Sequence, residues 1–158
     1  MMREVDYQLC AACTRGDILE VKKAVLMGAN VNCLLGEPII NTIRGTASGQ
    51  DKKEIIKYLL GQGANLNIGD GIVLTWAVRA NDTILVEWLV NTLNMRGIQD
   101  DGFPVLDAIN HPDILEILLK GGVKVSEEIK EIIYDMDFMH DQTSAIKCMI
   151  DDYLLHHN

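Results

Sequence analysis

The chain has 158 residues, 48% of them hydrophobic, and a formal net charge of −9. This is about the length of one domain, and the apolar content excludes disordered and collagen-like chains. No apolar run approaches the roughly 18 residues that span a bilayer, so we expect a soluble protein with no membrane role. Acidic residues near the N-terminus, where a secretory signal would be basic, and four cysteines in a chain that can form its own core predict a cytoplasmic protein with reduced thiols.

A five-residue segment occurs twice in the first half of the chain. Gly28-Ala29-Asn30-Val31-Asn32 returns 35 residues later as Gly63-Ala64-Asn65-Leu66-Asn67, and each copy follows an apolar stripe of helical spacing. The stripes are Val21, Ala24, Val25 and Leu26 in the first unit, and Ile55, Ile56, Leu59 and Leu60 in the second. A glycine just past a helix can take the left-handed conformation that satisfies the last carbonyls, and asparagine favours turns. The pattern in each unit therefore predicts a helix that ends at a glycine and is followed by a turn.

A third unit follows with a less regular sequence. Its helical segments are Leu74–Val78 and Leu85–Val90. Leu93 stands where the earlier units have their closing glycine, so we expect the second helix to continue toward Asn94 and to stop at Gly97. The second unit departs in another way, because about five extra turn-forming residues lie between its two helical segments.

The fourth unit and a C-terminal helical pair complete the pattern. The fourth unit comprises Asp101–Ala108 and Ile114–Gly122, with Pro112 at the first position of its second helix. Ser126 is placed to cap the next helix, because two glutamates follow it in the first turn. The apolar stripes of the closing pair are Ile129, Ile132, Ile133 and Met136, then Ala145, Ile146, Met149, Ile150, Tyr153 and Leu154.

These units resemble the ankyrin repeat, a unit of about 33 residues with a turn and two antiparallel helices. The first unit is nearest to the pattern: Leu9-Cys10-Ala11-Ala12-Cys13 falls where the family has a leucine, a histidine, a variable residue and paired alanines. No unit has the family's intact Thr-Pro-Leu-His. The resemblance implies an all-α, ankyrin-like α-solenoid of about four helix–turn–helix repeats with a helical C-terminal cap. It predicts one domain over residues 1–158, with repeats at about 5–33, 34–67, 68–99 and 100–125 and the cap at 126–158.

Members of this family bind protein partners through a concave surface made of turn tips and first helices. The resemblance therefore implies a noncatalytic interaction module that acts as an inhibitor, effector or adaptor. Trp76 and Arg79 are the leading pair, because residues three apart share a helix face and both types are typical interface anchors. Packing between repeats is the alternative role for Trp76. The implied protein-binding positions are Glu37, Asn41, Arg44, Asp70, Trp76, Arg79, Asp101, Phe103, Asp107 and Asn110.

The negative charge is concentrated at the C-terminal end. Residues 101–158 carry four basic and twelve acidic side chains, whereas residues 1–50 are neutral overall. This sign disfavours direct binding to nucleic acid. One interpretation is a solvated cap that keeps the protein soluble. The alternative is an acidic nucleic-acid mimic that occupies the basic site of a DNA- or RNA-binding protein.

Cys10 and Cys13 have the two-residue spacing of thiol-redox and zinc motifs, and a metal or redox protein is the third, weaker hypothesis. Both cysteines fall inside a predicted helix at positions that favour small core residues. Elsewhere no phosphate-binding, nucleophile or metal motif is present, so we predict no enzymatic activity, cofactor or metal.

Uncovered apolar surface at the ends of the repeats would favour a homo-oligomer. We expect solvent-facing lysines on the second helices at Lys22, Lys23, Lys52, Lys53 and Lys57.

Overall fold

The computed structural model describes residues 2–68, 72–95, 103–135 and 143–157, and all regular secondary structure in these ranges is helical. The predicted all-α class is therefore confirmed for this part of the chain. None of these helices combines the length and the apolar character that crossing a membrane would require. The helices are α1 (Glu4–Arg15), α2 (Ile18–Leu26), α3 (Cys33–Arg44), α4 (Gly49–Gly61), α5 (Ile72–Arg79), α6 (Thr83–Asn91), α7 (Phe103–Asp107), α8 (Pro112–Lys120), α9 (Glu127–Asp135) and α10 (Thr143–His157).

The helices pack in consecutive pairs that form two rows. Each odd-numbered helix contacts the even-numbered helix that follows it. The odd-numbered helices α1, α3, α5, α7 and α9 also contact one another in sequence, and we call them the first row. The even-numbered helices do the same and form the second row. Equivalent positions of successive first-row helices consequently lie side by side on one face of the protein.

An apolar core runs between the two rows. Ile43 of α3 and Val78 of α5 are fully buried, as are Ile55 and Leu59 of α4. These residues belong to the helical stripes because the 3.6-residue period brings them to one side. A core that passes from one helix pair to the next fixes the rotation of each helix about its own axis, and so determines which side chains remain on the surface.

Among the stripe residues whose side chains the structure describes, two are exposed instead. Leu26 is 84% exposed because it ends α2 on the side away from Val21 and Ala24, so its assignment to the first stripe is wrong. Ile132 is 44% exposed. It lies on α9, where no described helix follows in the first row to cover it.

The two copies of the repeated turn make the same hydrogen bonds. Gly28 and Gly63 have φ values of 89° and 87°, which confirms the predicted left-handed stops. Asn32 joins the copies, because its Nδ2 donates to the Gly63 carbonyl at 2.9 Å and its Oδ1 accepts from the Asn65 amide at 2.7 Å. In the first copy two residues make the equivalent hydrogen bonds: the Arg3 side chain donates to the Gly28 carbonyl, and the Asp6 carboxylate accepts from the Asn30 amide. The second turn is thereby tied to the first, and the first turn is tied to the start of α1.

The end of α6 differs from the prediction. The helix stops at Asn91 and does not continue toward Asn94, which itself takes the left-handed conformation with φ of 56°. Met95 explains the early stop: its side chain is buried, and its amide donates to the Leu89 carbonyl at 3.0 Å, so the chain folds back onto the core. Gly97, the predicted stop, lies outside the described residues.

Two predicted helix starts are confirmed in the second half of the chain. Pro112 begins α8, where its missing amide hydrogen costs no helical hydrogen bond. Ser126 caps α9, since its hydroxyl accepts from the Ile129 amide at 3.3 Å.

Candidate functional site

Three neighbouring first-row helices bring four of the predicted binding residues together. The guanidinium carbon of Arg44 lies 4.7 Å from the ring centroid of Trp76, and that of Arg79 lies 5.6 Å from it. Arg79 also donates from Nε to Oδ2 of Asp107 at 2.7 Å. Arg44 comes from α3, Trp76 and Arg79 from α5, and Asp107 from α7. We call these four residues the Trp76 cluster.

Local sequence explains why these side chains reach the surface. In α5 the buried residues Val73, Leu74, Ala77 and Val78 fix the face that points into the core. Trp76 and Arg79, three positions apart, therefore share the opposite, more exposed side. In α3 the buried Ile39, Thr42 and Ile43 act in the same way, and leave Arg44 exposed at the end of the helix.

The contacts within the cluster are individually weak. The Arg79 side chain is 48% exposed and that of Asp107 is 25% exposed, and an ion pair with this much solvent contact contributes at most about 1 kcal/mol to stability. Cation–π contacts at exposed sites contribute about 0.5–1 kcal/mol each. Trp76 is half-buried and packs against the core with part of its ring. The cluster thus keeps two cations, one carboxylate and part of an indole within reach of solvent.

The other predicted site residues form no hydrogen bond or ion pair with this cluster in the described structure, or lie outside the description. Glu37 and Asn41 are half-buried on α3, and Asn110 is exposed just after α7. Glu37 precedes Arg44 by two helical turns, or about 10 Å along the axis. Phe103 begins α7, but its side chain lies outside the described part. Asp70 and Asp101 also lie outside the described residues.

The cysteine pairing differs from the sequence hypothesis. The sulfur of Cys10 lies 3.7 Å from that of Cys33, on the first turn of α3, and all three N-terminal cysteines are buried. Desolvation raises the pKa of Cys10 and Cys33, and raises that of Cys13 to about 11. These shifts oppose the thiolate that redox and zinc chemistry require. Within the described ranges no group of three or more histidine, cysteine or acidic residues is arranged to hold a metal.

On the second row, one predicted surface lysine is buried. Lys52 is 6% exposed and pairs with Asp82, with Nζ and Oδ2 3.6 Å apart, so its assignment to the solvent is wrong. The physical reason is that α4 packs on α6, whose N-terminal carboxylate meets this lysine. Lys53 and Lys57 lie 5.8 and 5.9 Å from the ring centroid of Trp88, which is 5% exposed.

The acidic side chains of the C-terminal third lie mostly on exposed positions of α8, α9 and α10. Lys120 pairs with Glu116, and Lys130 pairs with Glu127 at 3.7 Å. Other carboxylates of α9 have no ion pair within the described residues: Glu128, Glu131 and Asp135. This helix therefore presents uncompensated negative charge to solvent.

A groove of about 220 Å³ lies between α8 and α10. Its lining combines apolar surface from Leu119, Met149 and Tyr153 with charged groups of Glu116 and Asp152. None of the binding residues predicted from the sequence is among the residues that line it.

No protein-family model, curated protein or solved structure matches the chain. Among the described residues, the Trp76 cluster brings together four predicted binding residues from three helices. Two of its contacts, those of Arg44 and Asp107, join helices that are distant in sequence.

Proposed function

We propose that this chain is a noncatalytic protein-binding module, built as a single ankyrin-like stack of about four helix–turn–helix repeats with a helical C-terminal cap. Two observations support the architecture. The helix pairs form two rows with contacts between successive members of each row. The turns at Gly28 and Gly63 also repeat the same hydrogen bonds.

The partner docks on the first-row face, at the Trp76 cluster. The observation that carries this proposal is the convergence of Arg44, Trp76, Arg79 and Asp107 from three helices onto one surface. Tryptophan and arginine dominate the energetics of many protein interfaces, because they bury large areas and keep directional donors. The half-buried position of Trp76 also fits this role, since a ring anchored in the core loses little entropy on binding.

The module blocks its partner as an inhibitor or effector, or joins two partners as an adaptor. It uses no cofactor or metal in this role. A cytoplasmic location is part of the proposal, supported by three cysteines that serve as buried core side chains with free thiols.

A pull-down from nuclease-treated lysate of the source organism tests the site. The wild-type chain is compared with W76A/R79A, and with K22Q/K23Q as a matched double variant on the second row. We expect a protein that stays bound at high salt to wild type and to the control, and that is lost from W76A/R79A. A partner retained equally by all three chains would contradict the proposed site.

The second candidate function is the acidic mimic, in which the C-terminal third occupies a basic nucleic-acid-binding site on another protein. The exposed carboxylates of Glu128, Glu131 and Asp135, which form no ion pair with any described residue, favour it. Binding of this kind collapses when salt is raised. A partner that elutes with salt, ignores W76A/R79A and is lost from E128Q/E131Q would establish the mimic in place of the first-row site.

A further inference from the structure

The Trp76 cluster holds more positive than negative charge. Arg44 and Arg79 both lie within 6 Å of one indole centroid, and guanidinium groups are permanently charged. Asp107 is the single carboxylate that forms an ion pair with them among the described residues. Two guanidinium groups and one carboxylate leave the cluster with one uncompensated positive charge on the first-row face.

The cluster also has hydrogen-bond donors to spare. Arg79 uses Nε for Asp107, and its terminal amino groups make no hydrogen bond within the described part of the chain. Arg44 is exposed; it makes a cation–π contact with the indole, and its guanidinium group makes no hydrogen bond with any described residue. A guanidinium group presents its donors as a planar fork that matches a carboxylate. Contact with the Trp76 ring restricts both guanidinium groups before a ligand arrives.

Helix geometry alone does not explain this arrangement. Basic residues are stabilised in the last turn of a helix by its dipole, and Arg15, Arg44 and Arg79 occupy that place in α1, α3 and α5. Arg15 is exposed and makes no contact with an aromatic ring in the described structure. Only the other two flank Trp76. Arg15 is therefore a natural internal control for a role that goes beyond the dipole.

We propose that the Trp76 cluster binds an acidic peptide segment of the partner protein, with a carboxylate held by Arg44 and Arg79 and an apolar side chain packed beside the indole. The inference rests on the proposed function and adds the chemistry of the ligand. Charge favours a peptide over a nucleic acid: the whole chain carries −9 and repels a polyanion. The local positive charge acts within a Debye length of about 8 Å, which suffices for one or two carboxylates.

Short random peptides displayed on phage provide the test. They are selected on the immobilised full chain, and the enriched sequences are then synthesised. Their affinities are measured with the W88F variant, in which Trp76 is the one remaining tryptophan and reports directly on the site. The same titrations are made in this background with R44Q and R79Q, with R15Q as the matched control, and with oligothymidylate in place of the peptide. Binding to W76F, which lacks the reporting tryptophan, is measured by isothermal titration calorimetry.

We expect enriched peptides to carry aspartate or glutamate next to an apolar residue. Their affinity falls about tenfold or more in R44Q and R79Q, because a charge-assisted hydrogen bond is lost, and stays within twofold of the original in R15Q. R44K restores only part of the affinity, since lysine lacks the planar fork.

Three outcomes would overturn the inference in different ways. Enriched peptides without acidic residues, whose binding still depends on Trp76, would refute the acidic ligand and leave the proposed function standing. Oligothymidylate binding that is lost in R44Q would replace the peptide with a nucleic acid. An absence of enriched peptides, or peptides insensitive to every cluster variant, would refute both the ligand and the binding role of this face.

Discussion

Lys52 and Asp82 form an ion pair between α4 and α6 that is almost removed from solvent, with side chains 7% and 12% exposed. Removing one member of such a pair leaves a buried charge without compensation. We expect Lys52→Met to lower the free energy of unfolding by about 3 kcal/mol, measured by urea denaturation. The double variant K52M/D82N recovers much of the loss, since asparagine still caps α6 without carrying a charge.

A surface pair serves as the control for this prediction. Lys23 and Glu20 lie 3.4 Å apart with side chains 64% and 49% exposed, so Lys23→Met changes the unfolding free energy by less than about 1 kcal/mol. Equal losses of unfolding free energy in K23M and K52M would show that burial of the Lys52–Asp82 pair has no energetic consequence.

Two exposed leucines with opposite backbone conformations give a second prediction. Leu35 is 85% exposed and left-handed, with φ of 56°, whereas Leu26 is 84% exposed at the end of a right-handed helix. Left-handed geometry costs a leucine about 1–2 kcal/mol, which glycine avoids. Leu35→Gly is therefore neutral or stabilising. Leu26→Gly lowers stability by about 0.5–1 kcal/mol, because glycine gains entropy in the unfolded chain.

Thermal unfolding of both variants measures the difference. Neither substitution removes buried area, so the contrast isolates the backbone term. If L35G loses as much stability as L26G, the left-handed turn at the start of α3 is not strained in solution.

Features that depend on near neighbours could be predicted from the sequence. The stops at Gly28 and Gly63, the cap at Ser126 and the start at Pro112 each act through residues within a few positions. The proximity of Trp76 to Arg79 is predictable for the same reason. Helix α6 is the exception, because the burial of Met95 decided where the chain turned back.

Pairings between distant residues could not be predicted in this way. Cys10 meets Cys33 across 23 positions, and Lys52 meets Asp82 across 30. Both depend on how successive helix pairs stack, which a single helical stripe does not specify. Spacing within one helix drew attention to Cys10 and Cys13, whereas the sulfur nearest to Cys10 comes from the following pair of helices.

Asp6 gives a prediction about pH. The Asn30 amide and the Arg3 side chain donate hydrogen bonds to its carboxylate and lower its pKa. A carboxyl group whose pKa is lower in the folded than in the unfolded state stabilises the fold at pH values above its unfolded pKa of about 3.9. That contribution is lost as the pH falls toward the pKa of the folded state. We therefore expect Asp6→Asn to destabilise the protein at pH 6, and the difference from wild type to shrink at pH 3.

The control for acid effects elsewhere in the chain is Asp113→Asn, an exposed carboxylate in the first turn of α8. Its effect on the free energy of unfolding remains within about 1 kcal/mol, the usual size of an exposed carboxylate's interaction with the helix dipole. A difference between wild type and D6N that stays constant from pH 6 to pH 3 would exclude a stabilising role for the ionised Asp6.

Thiol reactivity separates the exposed cysteine from the three buried ones. Cys148 is exposed, and burial raises the pKa of Cys13 to about 11, so few of the buried thiols are ionised at pH 8. An aromatic disulfide reagent at that pH should modify one thiol of the native wild-type protein rapidly, none of native C148S, and all four wild-type thiols in urea.

Because unfolded cysteines ionise near pH 8.5, the raised pKa values of the buried thiols also imply that the free energy of unfolding declines as pH rises from there toward 11. Rapid modification of native C148S, or stability unchanged across that interval, would contradict the burial of these thiols in solution.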